Sequence, residues 1–255
     1  MICDLAFINS SFQGGTMINI LLPDPTPQSR PAIDPDAVSC WIFDLDNTLY
    51  PAASNLFARV SRRMTAFIQA EFALAEEGAR ALQKKLFLEY GTTMRGLMVE
   101  HGTEPERFLH DVHDIDVSDM APDPRLAALI NRLPGRRVIF TNGSVPHADR
   151  ITRQLGIDGL FEGTFDIVAG NFIPKPDPQP YRDMIARFGL DPTSSVMIED
   201  MAKNLKPAAE MGMTTVWLRH DMEWSSDGAD DGHVHHEITD LTAWLEQITG
   251  AGVAC

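Results

Sequence analysis

Short apolar stretches without a helical period recur at residues 38–43, 137–141, 196–198 and 214–218, and helical patterns fill the spaces between them. That alternation restricts the fold more than any other feature of the chain. A strand that is apolar on both faces needs cover on both, and helical crossovers between parallel strands supply it. The expected class is α/β with a parallel sheet. Asp123 with Pro124 opens a helix that ends near Leu133, and Ser144 can cap one that reaches Leu155, with Gly156 beyond its end. Further helices are expected at 180–188, stopped by Gly189, and at 201–211, ending at Gly212. A last one begins near Thr239 and carries Leu241, Trp244, Leu245 and Ile248 on one face.

Between residues 51 and 120 the strand pattern disappears. Helical stretches occupy 55–72, 75–90 closed by Gly91, and 93–100 stopped by Gly102. Thr103 and Glu106 have the T-x-x-E spacing of a capping box, with Pro105 inside the first turn, which predicts a fourth helix. An all-helical block between two sheet strands reads as an inserted cap. The expected organisation is a proline-rich tail at 1–36, an α/β core from 37–50 and 121–255, and a helical cap at 51–120. Pro23, Pro25, Pro27, Pro31 and Pro35 keep the tail from forming a regular helix.

Charge narrows the partners. Thirty-six acidic side chains against 21 Lys and Arg leave the 255-residue chain at −15. Such a surface repels nucleic-acid backbones and anionic lipid, both of which reward clustered basic residues. A small phosphate ester needs a strong local positive site to overcome the same field. No apolar run approaches the ~18–20 residues of a spanning helix, and the first twenty residues lack a basic leader with an apolar block. Cys3, Cys40 and Cys255 match neither a disulfide framework nor a zinc spacing. A cytoplasmic setting is expected.

In a parallel sheet, ligands bind at the carboxyl ends of the strands. Asp44-Leu45-Asp46-Asn47-Thr48 follows the first strand, Thr141-Asn142-Gly143-Ser144 the second, and Glu199-Asp200 the strand ending at Ile198. Pro174-Lys175-Pro176 lies in an intervening loop. Four carboxylates that converge would raise one another's pKa strongly, and a hard divalent cation relieves this. Oxygen-only ligands without paired His or Cys point to Mg²⁺. Lys175 adds a compact positive charge and Thr141 a hydroxyl donor, which suits a phosphoryl group in transit. Alternate strand residues share a face, so Asp44 and Asp46 can both address it, one attacking phosphorus and the other protonating the departing oxygen.

At these residues the sequence resembles the haloacid dehalogenase (HAD) superfamily of Mg²⁺-dependent phosphotransferases. D-L-D-N-T, T-N, the lysine of P-K-P, and E-D appear in that order, and the resemblance covers roughly residues 38 to 220. F-D-L-D-N-T-L-Y (43–50), Y-G-T-T-M-R-G-L (90–97) and E-D-M-A-K-N-L (199–205) resemble the pyrimidine 5′-nucleotidase branch. The resemblance implies a doubly wound, Rossmann-like core with a helical cap. It implies Asp44 as nucleophile and Asp46 as acid/base, with the Asp46 backbone carbonyl on Mg²⁺. Asp44 and Asp200 would be side-chain ligands, and Glu199 would reach the metal through water. Thr141 and Lys175 would hold phosphoryl oxygens, helped by backbone N–H groups after the nucleophile, at Leu45, and at Asn142. Dehalogenases lack a second aspartate two positions after the nucleophile, so Asp46 favours phosphoryl transfer. The implied substrate is a pyrimidine nucleoside monophosphate such as UMP or CMP. The rivals are another small phosphate ester, such as a sugar phosphate or phosphoglycolate, and a non-catalytic nucleotide-binding protein.

Other residues carry weaker signals. A calcium loop beginning at Asp44 fails, because Leu49 stands where glycine and Asn55 where glutamate would be required. Residues 51–95 hold seven basic and four acidic side chains. Arg59, Arg62 and Arg63 can draw in an anion or simply form a solvated helix face. Arg95 begins a helix, where a cation opposes the dipole, which makes it a candidate substrate contact. Tyr50 can stack a base or be a buried aromatic. His101, His110 and His113 read as polar surface, and His233, His235 and His236 lack the converging cysteines of a metal site.

Overall fold

The computed structural model describes residues 32–222 and 224–251. Its strands in chain order are β1 (Cys40–Phe43), β2 (Arg136–Phe140), β3 (Gly163–Phe165), β4 (Ser195–Glu199), β5 (Thr214–Leu218) and β6 (His236–Ile238). They form one sheet in the order β3-β2-β1-β4-β5-β6, and every neighbouring pair is parallel. Phe43 lies opposite Ile139 on one side and Ile198 on the other, so three strands end at nearly the same level.

All four residues of β1 are buried, and its side chains alternate between two separate cores. Trp41 and Phe43 point to the face covered by α5 (Pro124–Arg132), α6 (Val145–Leu155) and α9 (Leu241–Ile248), where Leu129, Ile151 and Leu245 pack. Cys40 and Ile42 point to the face covered by α7 (Pro178–Phe188) and α8 (Lys206–Glu210), with Tyr181, Met184 and Ala208. This is the doubly wound arrangement expected from strands with no polar face. Burying each large side chain contributes roughly 1.5–3 kcal/mol.

Four helices intervene between β1 and α5: α1 (Leu56–Phe72), α2 (Glu76–Tyr90), α3 (Thr93–His101) and α4 (Pro105–Val112). They share a third core of Val60, Phe67, Ile68, Leu86, Leu97 and Phe108, which also takes in Ile167 from beyond β3. Gly96 allows α2 and α3 to approach, since a Cβ there would lie 2.7 Å from Leu86 Cβ. Among the described residues no helix is long and apolar enough to cross a membrane.

Several local expectations need correction. The capping box at Thr103 does not form: Glu104 is the N-cap of α4, without a side-chain bond. Thr103 instead closes α3, its N–H donating to Leu97 O. Ser144 is the N-cap of α6 but its hydroxyl does not cap: it lies 2.9 Å from His113 Nδ1, Pro146 in the first turn has no N–H to offer it, and Asp166 Oδ2 accepts the Val145 N–H. The helix expected at 201–211 is a 3-10 turn at Ala202–Leu205 followed by the short α8, broken where Pro207 lacks an amide donor. β3 and β6 were not anticipated; both are three-residue edge strands, too short to carry a period. Most of the tail, residues 1–31, lies outside the described residues; at its described end Pro35–Ala37 form one 3-10 turn capped by Asp34.

Candidate active site

From β1 the chain winds outward to β2 and β3 on one side, and β4 starts the winding on the other. The crevice above such a reversal is where parallel sheets bind ligands. Asp44 is the first residue past β1, its N–H still bonded to Ile198 O of β4 at 2.9 Å. The chain then turns tightly, with Leu49 N–H returning to Leu45 O and Asn47 at φ 61°. Glu199 ends β4 and Asp200 follows it.

Lys175 ties these ends together. Its Nζ lies 2.7 Å from Asp44 Oδ1, 2.6 Å from Glu199 Oε2 and 3.0 Å from Phe140 O. The side chain is 1% exposed. Its loop is pinned by Asn142, whose Oδ1 accepts the Lys175 N–H at 2.9 Å. Asn204 donates to the other Glu199 oxygen at 2.9 Å, and His220 Nε2 sits 2.8 Å from Asp200 Oδ2.

One ammonium faces three buried carboxylates, those of Asp44, Glu199 and Asp200, whose nearest oxygens all lie within 4.8 Å of one another. The imbalance shows in their acidities. Burial first, then the Glu199 charge, pushes Asp44 up to about 7 against the pull of Lys175. Burial pushes Glu199 up to about 7 as well, and Asp200 is raised for the same reason although His220 opposes it. For Lys175 burial works the other way, but Asp44 and Glu199 outweigh it and hold the ammonium charged. Three hard oxygen donors with excess negative charge fit a divalent cation such as Mg²⁺.

Asp46 occupies a different environment. Tyr50 donates its hydroxyl to Asp46 Oδ1 at 2.5 Å, and His147 Nε2 lies 2.9 Å from the same oxygen. Burial would raise the Asp46 pKa, yet the His147 and Tyr50 contacts outweigh it and hold the carboxyl below its usual range. Two aspartates two residues apart are thus driven in opposite directions by their surroundings.

Thr141 lies beside Asp46: a Cβ on Gly143 would come within 3.2 Å of Thr141 Oγ1 and 3.5 Å of Asp46 Oδ2. Thr141 Oγ1 accepts the Gly143 N–H at 2.9 Å. Leu45 points into the core, and Tyr50, 1% exposed, is a buried aromatic with no face open to a base. Arg95 stands apart from the acidic cluster. It lines a cavity of about 410 Å³ with Tyr90 and Gly91 at the end of α2 and Ile173, Pro174, Pro176 and Asp177 from the lysine loop. Arg59 and Arg63 pair with Asp119 and Asp111, consistent with a solvated helix face.

His147 and His220 were missed in the sequence. His147 stands in the first turn of the helix after the second strand end, and that position was the available signal. His113, expected at the surface, is 6% exposed and stacks on His147 with ring centroids 4.2 Å apart. Burial, followed by the His147 ring, lowers its pKa to about 3. His233 bonds Ala202 O and His235 accepts the Thr215 N–H, both structural uses.

The family model for haloacid dehalogenase-like hydrolases matches residues 38–212, which include all of the strand-end residues above. Phosphate metabolism protein 8 of Saccharomyces cerevisiae is 27% identical over 225 residues, spanning 81% of this chain and 67% of that protein. Phosphoglycolate phosphatase of Cereibacter sphaeroides is 29% identical over 152 residues, spanning 55% of this chain and 67% of that one. The crystal structure of HAD phosphatase from Thermococcus onnurineus shares the fold, with a TM-score of 0.55 at 18% identity over 84% of this chain and 98% of that one.

Proposed function

This chain belongs to the haloacid dehalogenase-like hydrolase family, and on that footing we propose that it is a Mg²⁺-dependent phosphomonoesterase that hydrolyses pyrimidine nucleoside 5′-monophosphates to nucleoside and inorganic phosphate. The observation that carries the reading is the Lys175 ammonium bridging Asp44 and Glu199 at the strand ends, with Asp46 two residues further on. Asp44, Glu199, Asp200 and the Asp46 backbone carbonyl would hold the metal, which when bound supplies the positive charge that three carboxylates and a phosphate dianion lack.

The residues of the chain divide the reaction between them. An Asp44 oxygen attacks phosphorus, the bond to the leaving oxygen breaks, and that oxygen takes its proton from Asp46. Asp46, now a carboxylate, accepts a proton from the water that attacks the aspartyl-phosphate. The bond to Asp44 then breaks and phosphate departs. Lys175, Thr141 and the backbone N–H groups of Leu45 and Asn142 stabilise the charge on the phosphoryl oxygens. The cap, residues 51–120, excludes water from the first step and reads the leaving group.

Support for a nucleoside leaving group comes from the cavity lined by Arg95 and by Pro174 and Pro176, the neighbours of Lys175, where the guanidinium can donate to a pyrimidine carbonyl oxygen. The phosphoglycolate phosphatase relative favours a second reading, the same chemistry on a small phosphate ester such as phosphoglycolate or a sugar phosphate. Initial rates of phosphate release from UMP, CMP, phosphoglycolate and glucose 6-phosphate, with Mg²⁺ and with EDTA, separate the two. UMP and CMP should be preferred and EDTA should abolish release. Equal or better rates on the other esters would overturn the pyrimidine assignment.

A further inference from the structure

We propose that His147 is a positioning residue for Asp46: it fixes the carboxylate so that one oxygen, Oδ2, handles the proton of the leaving group. The inference rests on the phosphatase reading above, with Asp46 as acid/base.

Both hydrogen bonds that orient Asp46 fall on Oδ1, from the Tyr50 hydroxyl at 2.5 Å and from His147 Nε2 at 2.9 Å. A carboxylate accepts, so Nε2 carries the proton. Donors arriving on one oxygen from two different elements stop the group from rotating and leave Oδ2 for proton transfer. Oδ2 lies beside Gly143, where a Cβ would sit 3.5 Å away and 3.3 Å from the His147 ring, so the bare backbone keeps that side of the carboxylate open.

His147 is itself held. It is 1% exposed, and its ring lies nearly parallel to that of His113, at 13°. His113 directly follows α4, at the end of the cap, and is locked in turn: its Nδ1 lies 2.9 Å from Ser144 Oγ and its carbonyl accepts from Arg150. The other His147 nitrogen, Nδ1, is buried without a partner among the described residues. Among the described residues the ring therefore makes its side-chain hydrogen bond to Asp46 alone, while the His113 ring fixes its plane.

When Asp44 displaces an alkoxide from phosphorus, the electron pair of the breaking P–O bond stays on the leaving oxygen and a proton must reach it from Asp46. A dinitrophenolate leaves without that proton. A defect in the placement of Asp46 therefore depresses kcat/KM for an alkyl phosphate far more than for 2,4-dinitrophenyl phosphate, whereas a general structural defect depresses both alike. kcat/KM is the right quantity because it covers the steps through loss of the leaving group and omits breakdown of the aspartyl-phosphate.

The experiment compares the unaltered enzyme with His147→Ala, His147→Gln and Asp46→Asn at saturating Mg²⁺. The alkyl ester is whichever of UMP and phosphoglycolate the unaltered enzyme turns over faster. Loss of the placed acid in His147→Ala should lower kcat/KM on the alkyl ester by about 100-fold and on the dinitrophenyl ester by less than about 5-fold. His147→Gln, whose amide N–H can take the place of Nε2–H, should recover most of the alkyl-ester rate. Equal losses on the two esters, or no loss on the alkyl ester, would overturn the inference. Asp46→Asn serves as the reference. If it shows the selective loss and His147→Ala does not, the positioning role alone fails; if Asp46→Asn does not show it, the acid/base reading fails as well.

Discussion

The Lys175 ammonium reaches Asp44 Oδ1 at 2.7 Å across 131 positions of chain, and the same nitrogen holds Glu199 at 2.6 Å. One side chain thus neutralises groups delivered by two neighbouring strands. Lys175→Met should leave the buried Asp44 and Glu199 carboxylates without their counter-charge and destabilise the metal-free protein by about 3–5 kcal/mol. Urea unfolding at pH 8 measures this, and an unchanged midpoint would show that the ion pair is not structural.

Asp44→Asn should behave in the opposite way. Removing the proposed nucleophile lowers kcat by about 10⁴-fold or more. Because burial and Glu199 hold the Asp44 carboxyl up at about 7, its charge is a strain on the fold at pH 8. The variant should melt at or above the temperature of the unaltered protein while releasing no measurable phosphate from UMP.

Mg²⁺ should stabilise the protein by binding the folded carboxylate cluster. At a concentration about 100 times its Kd the gain is about 2.7 kcal/mol. Thermal melts with EDTA and with increasing Mg²⁺ should show a rising midpoint in the unaltered protein and a much smaller rise in Asp200→Asn.

His113 makes stability depend on pH. Its folded pKa is lowered to about 3 from an ordinary 6.5. Between those values the unfolded chain binds a proton that the folded chain refuses, so this contribution is complete above 6.5 and is lost progressively as the pH falls toward 3. The slope approaches about 1.4 kcal/mol per pH unit. Urea titrations of the unaltered protein and His113→Asn between pH 4.5 and 8 should differ by that slope on the acid side. Parallel curves would contradict a buried, neutral His113.

Gly96→Ala tests the cap independently of the chemistry. Its Cβ would lie 2.7 Å from Leu86 Cβ and 3.0 Å from Tyr90 Cδ2, so α2 and α3 must separate. Overpacking of this kind destabilises by about 1–3 kcal/mol, visible as an earlier urea midpoint.

The parallel sheet and its four inner strands could be read from apolar runs because a strand buried on both faces leaves an uninterrupted signature. The edge strands β3 and β6 left none, since three residues hold no period and Gly163 and His236 lack β-forming side chains. At the site, Asp44, Asp46, Lys175, Glu199 and Asp200 were legible because each stands at or just past the end of a strand or between prolines. His147 and His113 were not. Their importance arises only when a ring from the end of the cap lies against a ring from α6, a contact between residues 34 positions apart with no local pattern to announce it. Tyr50 was ambiguous for a related reason: whether its ring faced a ligand or its hydroxyl met Asp46 depended on how tightly the loop after β1 turned.

The central place of β1 has a consequence for biosynthesis. This strand leaves the ribosome before its partners, yet Cys40, Trp41, Ile42 and Phe43 pair only with β2, which ends at Phe140, and β4, which ends at Glu199. At translation speeds of about 5–20 residues per second, the first partner emerges roughly 5–20 s later. For that interval a fully apolar strand has no edge to join within its own chain. The helices α1 to α4 are what emerges in between, and their shared core is completed only when Ile167 has been made. The nascent chain therefore carries an apolar strand without a pairing edge until synthesis has passed Phe140.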